Sequence, residues 1–209
     1  MKKAMALLAT MLMIVFIMVG CSGGQAPADD SELSDSDSVQ GVDEDTGESA
    51  GDIAETVKCE QGGFNYEIPA DWHKVEEMSS SQVSFYKPSG MSIEDRPSNV
   101  TVEMSETGRE SPPFEALAEE NVFDESMILG IVQRAEDIEI GESFFVPIGG
   151  VFQALYYREL EGGERIVQRI YLPVVDNYAV LVYATDFQDN ANPPVEDVAR
   201  LILETLEYK

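Results

Sequence analysis

The distribution of apolar and polar positions divides the chain into three parts. Ala4 to Val19 (AMALLATMLMIVFIMV) is an uninterrupted apolar run. Residues 22–57 contain no aromatic side chain and are dominated by Ser, Gly, Asp and Glu. From about residue 58 apolar residues recur periodically, aromatics return and turn residues punctuate the runs. Phe64, Tyr66 and Ile68 alternate with polar residues ahead of Pro69 and predict a strand; Val83 and Phe85 predict another, ending at Pro88-Ser89-Gly90. In Asn99 to Ser105, Val100, Val102 and Met104 share one face and Thr101 and Glu103 the other, the period-two signature of a half-buried strand.

Pro112-Pro113 opens a helical region, because proline suits a first turn where its missing N–H is not needed. Phe114, Leu117 and Ala118 share a face, as do Met127, Ile128 and Ile131. Asp124-Glu125-Ser126 interrupts the stripe, which leaves one helix or two. Four strand-like runs follow, Ile138–Val146, Val151–Glu159, Arg165–Val174 and Tyr178–Thr185. Gly149-Gly150, Gly162-Gly163 and Asp176-Asn177 separate them, and gaps this short predict hairpins and an antiparallel meander. The third and fourth runs are apolar at nearly every position, which predicts cover on more than one face. Adjacent Tyr156 and Tyr157 must point to opposite faces; one of them either packs under a helix or loop or belongs to a partner-binding patch. A last helix is expected after Asn192 as cap and Pro193-Pro194, with Val195, Val198, Ile202 and Leu206 as its core stripe and Glu196 and Asp197 near its positive end. The predicted class is α+β: a curved antiparallel sheet packed by the central helical segment and the C-terminal helix, as one domain over residues 58–209.

The run of strand, Pro69, Ala70, Asp71 and Trp72 resembles the opening of small bacterial lipoproteins with the PsbP-like fold, where a phrase F-x-x-P-x-x-W begins the domain; here it reads Tyr66-Glu67-Ile68-Pro69-Ala70-Asp71-Trp72. The order of strands, helical insertion, meander and terminal helix ending in Ile202-Leu203-Glu204-Thr205-Leu206 is similar over residues 62–208. The resemblance implies a protein-binding scaffold and no shared chemistry, since a fold does not carry a function.

Charge changes the picture at the amino end. Lys2 and Lys3 precede the apolar run, which ends at Gly20 and Cys21. The run is short for a membrane span, which needs roughly 20 apolar residues, and has the three-part plan of a secretory signal. Met18-Val19-Gly20-Cys21 resembles the lipobox of bacterial lipoproteins, with Met where Leu is usual at its first position. The resemblance implies removal of residues 1–20 and acylation of Cys21, so that a lipid bilayer is the first expected partner. More than one acyl chain is needed for a stable hold, at ~0.8 kcal/mol per buried methylene. Ser22 is not the Asp that retains many lipoproteins at an inner membrane, and the envelope type stays open.

The whole chain carries 13 basic and 40 acidic residues, a formal charge of −27, and loss of residues 1–20 leaves 11 basic residues and −29. Such a chain is repelled by nucleic acid phosphates and bare anionic lipid, so nucleic acid is excluded as a partner class and a lipid anchor is needed near a membrane. With Cys21, residues 22–57 form a lipidated acidic linker. They hold 11 of the acids and no Lys or Arg, and cannot bury enough apolar surface to offset ordering. A coil of that length would reach roughly 30–36 Å, more with self-repulsion.

Candidate chemistry is sparse. The acids at Asp35-Ser36-Asp37 and Asp43-Glu44-Asp45 lack the frame of an EF-hand loop. His73 is the single histidine, and no G-x-S-x-G or other nucleophile motif accompanies it. One His and one further thiol, Cys59, offer little to zinc, and Cys59 has no Cys-x-x-Cys partner. Cys59 reads as a buried or inert thiol, or as a site of intermolecular pairing. The Gly-Gly pairs lack the lysine of a phosphate loop. No catalytic residue, metal site or cofactor is therefore expected. The expected role is a non-catalytic protein-binding or accessory module of the cell envelope, held on the extracytoplasmic face of the membrane. The alternative is an envelope glycan- or small-solute-binding or hydrolytic protein that uses acidic residues.

Overall fold

The computed structural model describes residues 53, 55–160, 163–187 and 191–209. Residues 1–52, which include the apolar run and Cys21, and residue 54 lie outside the described residues, and so do the signal peptide and most of the linker expected there. Two sheets form, and every strand pairing in them is antiparallel.

The small sheet has the order β1–β2–β11, with β1 at Thr56–Gln61, β2 at Phe64–Pro69 and β11 at Glu207–Tyr208. Gly62 and Gly63 make the two-residue turn between β1 and β2 at φ +58° and +87°, a left-handed pair that glycine adopts without strain. Strand β1 was not legible as a strand: TVKCEQ is mostly exposed and shows no clean alternation. It also begins at Thr56, inside the stretch expected to be linker. The cause is tertiary, since β2 offers an edge to which Thr56 and Val57 pair opposite Pro69 and Ile68.

After the turn at Ala70-Asp71 the chain enters the large sheet. Its strands are β3 (Trp72–Lys74), β4 (Val83–Pro88), β5 (Asn99–Glu106), β6 (Glu136–Ile140), β7 (Phe144–Val146), β8 (Gly149–Glu159), β9 (Arg165–Val175) and β10 (Tyr178–Asp186). The order is β3–β4–β5–β10–β9–β8–β6, with β7 also paired to β8. The run expected as one strand over Ile138–Val146 is two. Gly141 separates them where a Cβ would come within 2.9 Å of the Gln153 side chain, and both halves pair with β8.

The central helical segment is also two helices, α1 (Phe114–Glu119) and α2 (Glu125–Ile131). Asp124 caps α2 through its carboxylate, which accepts from the Met127 N–H at 2.9 Å. The C-terminal helix α3 spans Val195–Thr205. Its expected cap, Asn192, is not at the cap position. Pro193 and Pro194 intervene, so Pro194 stands there with no side-chain cap bond. Val195, Val198 and Ile202 are buried as the stripe requires, and Leu206 is buried just past the helix end.

The two faces of the large sheet carry separate cores. Val100, Val102 and Met104 of β5, Val180, Val182 and Ala184 of β10 and Tyr171 of β9 pack with β2 and α3. Phe152, Ala154 and Tyr156 of β8, Ile170 of β9 and Leu181 of β10 pack with Ile128, Phe123 and the flanks of α1 and α2. Double cover explains the nearly unbroken apolar runs of β9 and β10. Tyr156 is 1% exposed in the second cluster, so it packs under the helical segment; Tyr157 carries the Arg165 guanidinium over its ring at 4.1 Å.

Candidate functional site

One end of the large sheet opens into a cleft of about 770 Å³. It lies where β5 ends at Glu106, β9 turns into β10 through Asp176 and Asn177, and β8 begins at Gly149. This size falls within the range of ~300–1,000 Å³ typical of ligand clefts.

The floor depends on glycine. A Cβ on Gly150 would sit 2.3 Å from the Phe114 ring, and one on Gly149, at φ +151°, 2.9 Å from the Val174 carbonyl. These two glycines were expected only as a hairpin gap. In the structure they start β8, and Gly150 leaves the space that the Phe114 ring occupies against the strand. Phe114 then stands edge-on to Phe145 at 5.0 Å and tilted against Phe152 at 4.6 Å. Strand alternation in β7 turns Phe144 and Val146 inward and Phe145 outward, where it is 67% exposed.

A second aromatic group forms another wall. Tyr178 and Tyr208 meet at 3.3 Å between hydroxyls, with rings 5.5 Å apart. Fully buried Phe64 supports both, edge-on at 4.8 Å to Tyr178 and 5.2 Å to Tyr208. Tyr208 is 60% exposed on β11, whose pairing to β2 and whose following Lys209–Glu60 ion pair anchor the chain end. The hydrogen bond to Tyr208 and, less, desolvation push the Tyr178 hydroxyl up to about 12.

The rim is tied down by the loop after β5. Thr107 N–H donates to the Asn177 carbonyl at 2.7 Å and Asn177 N–H to the Arg109 carbonyl at 2.9 Å. Ser111 donates its N–H to the Asp176 carboxylate at 3.0 Å and its hydroxyl to the Val175 carbonyl at 2.9 Å. These bonds deliver Pro112-Pro113 to the cleft edge. The acidic residues of the lining are Glu106, Glu115 and Asp176, and neither Lys nor Arg is among the lining residues. Sequence reasoning missed this site. Tyr178 stands in the sequence only as the first residue of the fourth strand-like run, while Phe145 and Tyr208 stand in elements whose outward faces periodicity does not resolve.

The residues weighed for chemistry lie elsewhere. Cys21 is outside the described residues. His73 is exposed on β3, and its Nδ1 lies 3.3 Å from the Ser89 hydroxyl, a neighbour that no motif announced. Desolvation, then the Lys87 charge, hold its pKa below the ordinary value. Cys59 is a half-buried free thiol; burial pushes its pKa up, against the Tyr86 hydroxyl and Lys74, which pull the other way. A thiol held protonated is a weak nucleophile. The Glu103 carboxyl is pushed up by burial on the sheet face opposite Val102, and it does not line the cleft. Among the described residues no three His, Cys, Asp or Glu side chains come together as metal ligands, and no helix is long and apolar enough to cross a membrane.

No protein-family model matches the chain. No curated protein matches it. Among solved structures it is similar to a crystal structure from Bacteroides thetaiotaomicron VPI-5482, at 14% identity and TM-score 0.46, over 70% of this chain and 45% of that one. It is also similar to the solution structure of cyanobacterial PsbP (CyanoP) from Synechocystis sp. PCC 6803, at 10% identity and TM-score 0.43, over 75% of this chain and 94% of that one. The chain thus spans less than half the length of the Bacteroides structure.

Proposed function

We propose that this chain is a membrane-tethered extracytoplasmic lipoprotein, anchored through acylated Cys21, whose folded part is a non-catalytic protein-binding or accessory module of the cell envelope. In this reading residues 1–20 are a signal peptide, the acidic linker provides reach, and the domain is a curved antiparallel meander of the PsbP-like kind. The opening phrase Tyr66 to Trp72 and the order of elements support that likeness. The observation that carries the binding role is the cleft with Phe145 and Tyr208 held outward at its edge. Exposed aromatic side chains on a rigid framework supply contact area with little entropy left to lose, the property that enriches them at interfaces.

Cross-linking in living cells of the native organism tests it, with the tagged full chain as bait. A chain lacking residues 58–209 and the double variant Phe145→Ala, Tyr208→Ala serve as comparisons. The expected result is an envelope protein recovered with the intact chain and lost with both comparisons. Recovery that ignores the domain would overturn the reading. The anchor has its own test: Cys21→Ser should move the protein from the membrane to the soluble extracytoplasmic fraction and abolish incorporation of labelled fatty acid.

A further inference from the structure

We infer that the cleft takes a cationic ligand, an extended segment of a partner protein bearing lysine or arginine side chains; this deepens the binding role proposed above and rests on it. Three features converge. The acidic residues of the lining come from three separate elements, Glu106 at the end of β5, Glu115 on α1 and Asp176 in the β9–β10 turn, whose carboxylate also accepts from Ser111 N–H, and no basic residue lines the cleft. Two nearby cations are engaged elsewhere, Lys209 with Glu60 and Arg200 over the Phe144 ring at 4.1 Å, while Arg109 of the rim loop is exposed and stands outside the lining. The aromatic faces complete the match, because a ring quadrupole attracts a cation over its face. The protein already uses that contact internally, at Arg200–Phe144 and Arg165–Tyr157.

Charge selects against the other occupants of such a cleft. An anionic phosphate polymer or lipid headgroup would be repelled by the lining and by the −27 chain. A neutral glycan would stack on the rings and donate its hydroxyls to the carboxylates, yet it would bring no charge to oppose theirs. A cation compensates both, and carboxylates distributed around an open cleft suit several cations along one extended chain better than a single small ammonium ion.

The test uses the full lipidated chain in detergent micelles. The probe is a labelled short peptide of alternating glycine and lysine, compared with the same peptide carrying glutamine in place of lysine, both read by fluorescence anisotropy. Acidic proteins attract lysine generally, so the variants carry the inference. Phe145→Ala with Tyr208→Ala leaves the net charge unchanged and should weaken lysine-peptide binding about five- to ten-fold, at roughly three-fold per exposed ring. Glu106→Gln with Glu115→Gln should weaken it more than Glu136→Gln with Glu139→Gln, a charge-matched change on β6 outside the cleft. Equal loss from the two charge pairs, tight binding of the glutamine peptide, or indifference to the ring variant would each overturn the inference. The cellular cross-link separates the two readings. A partner lost with the ring variant but kept with Glu106→Gln and Glu115→Gln refutes the cationic ligand and leaves the binding module standing. A partner kept with both refutes the cleft as the binding surface.

Discussion

Two tyrosine pairs bridge the two sheets hydroxyl to hydroxyl, one sealed inside a core and the other at an open end. Tyr66 and Tyr86 meet at 2.7 Å between hydroxyls inside the first core, where both are nearly inaccessible. Tyr66 donates to the Gln61 side-chain oxygen at 2.9 Å, so Tyr86 is the donor within the pair. Gln61 donates in turn to the carbonyls of Gln82 at 2.7 Å and Val102 at 3.3 Å. This chain of bonds joins β1 and β2 of the small sheet to β5 and the start of β4 in the large one. Tyr178 and Tyr208 also bridge the two sheets, but at the open end and with their hydroxyls toward solvent. A closed, satisfied network fixes how the sheets meet. The open pair spends its hydroxyls on each other and leaves ring surface free for a partner.

The strongest way to break the comparison is to remove the ring that serves both sides. Phe64 belongs to the first core and supports Tyr178 and Tyr208. Phe64→Ala should cost about 3–5 kcal/mol in denaturant unfolding, by lost burial and the cavity left behind. Gly150→Ala comes next. Its Cβ would need the space of the Phe114 ring and would lift α1 from β8, so we expect a loss of about 1–3 kcal/mol, the usual cost of overpacking, together with a disordered cleft wall in heteronuclear spectra. Tyr66→Phe should cost about 1–3 kcal/mol, because the Gln61 oxygen and the Tyr86 hydroxyl lose their partner in a buried setting. Tyr178→Phe should fall within about 0.5 kcal/mol of the parent, as exposed substitutions do. Equal costs at Tyr66 and Tyr178 would show that the open pair is as structural as the closed one.

The division between legible and illegible residues follows from which forces act locally. Strands β2, β5, β8, β9 and β10 were readable because each carries its own period-two pattern or apolar run, and the stripe of α3 because Val195, Val198 and Ile202 recur at helical spacing. Strands β1, β3 and β11 were not. Each is short or largely polar and becomes a strand only because a neighbour offers an edge, as Glu207 and Tyr208 pair opposite Asn65 and Phe64. The cleft was hidden for the same reason. Phe114, Phe145, Tyr178 and Tyr208 are far apart in sequence, and Gly150, the residue that lets the first two meet, reads in one dimension as a turn. Asn192 teaches the converse: a good capping residue is of no use where two prolines displace it from the cap.

A pH effect of modest size follows from Glu103. Burial raises its folded pKa above the ordinary carboxylate value, so the native state carries a cost once the group ionises. That cost is present above the folded pKa and is relieved as pH falls through it. Glu103→Gln should therefore raise the melting temperature at neutral pH, and the gain should vanish in acid below the ordinary glutamate range. A variant no more stable than the parent at pH 7 would mean that the carboxylate has compensation its neighbours do not reveal.

The smallest effect is the sharpest discriminator between the two pairs, because both Tyr66 and Tyr178 are pushed up to about 12 for different reasons. For Tyr66 the leading cause is burial, and its bond from Tyr86 acts in the opposite direction. For Tyr178 the leading cause is the bond to Tyr208. Deleting the partner hydroxyl should therefore move the two tyrosines oppositely. Tyr208→Phe should return Tyr178 toward the usual tyrosine value of about 10, whereas Tyr86→Phe should leave Tyr66 high or raise it further. Carbon-detected NMR of ring-labelled tyrosine during alkaline titration reads each residue separately. The linkage adds a second readout: since the folded pKa of Tyr66 lies above the unfolded one, stability falls as pH rises from about 10 through about 12, and Tyr66→Phe should flatten that slope. If Tyr178 stays high in Tyr208→Phe, its ring is desolvated like that of Tyr66, and the wall of the cleft it forms is closed to a partner.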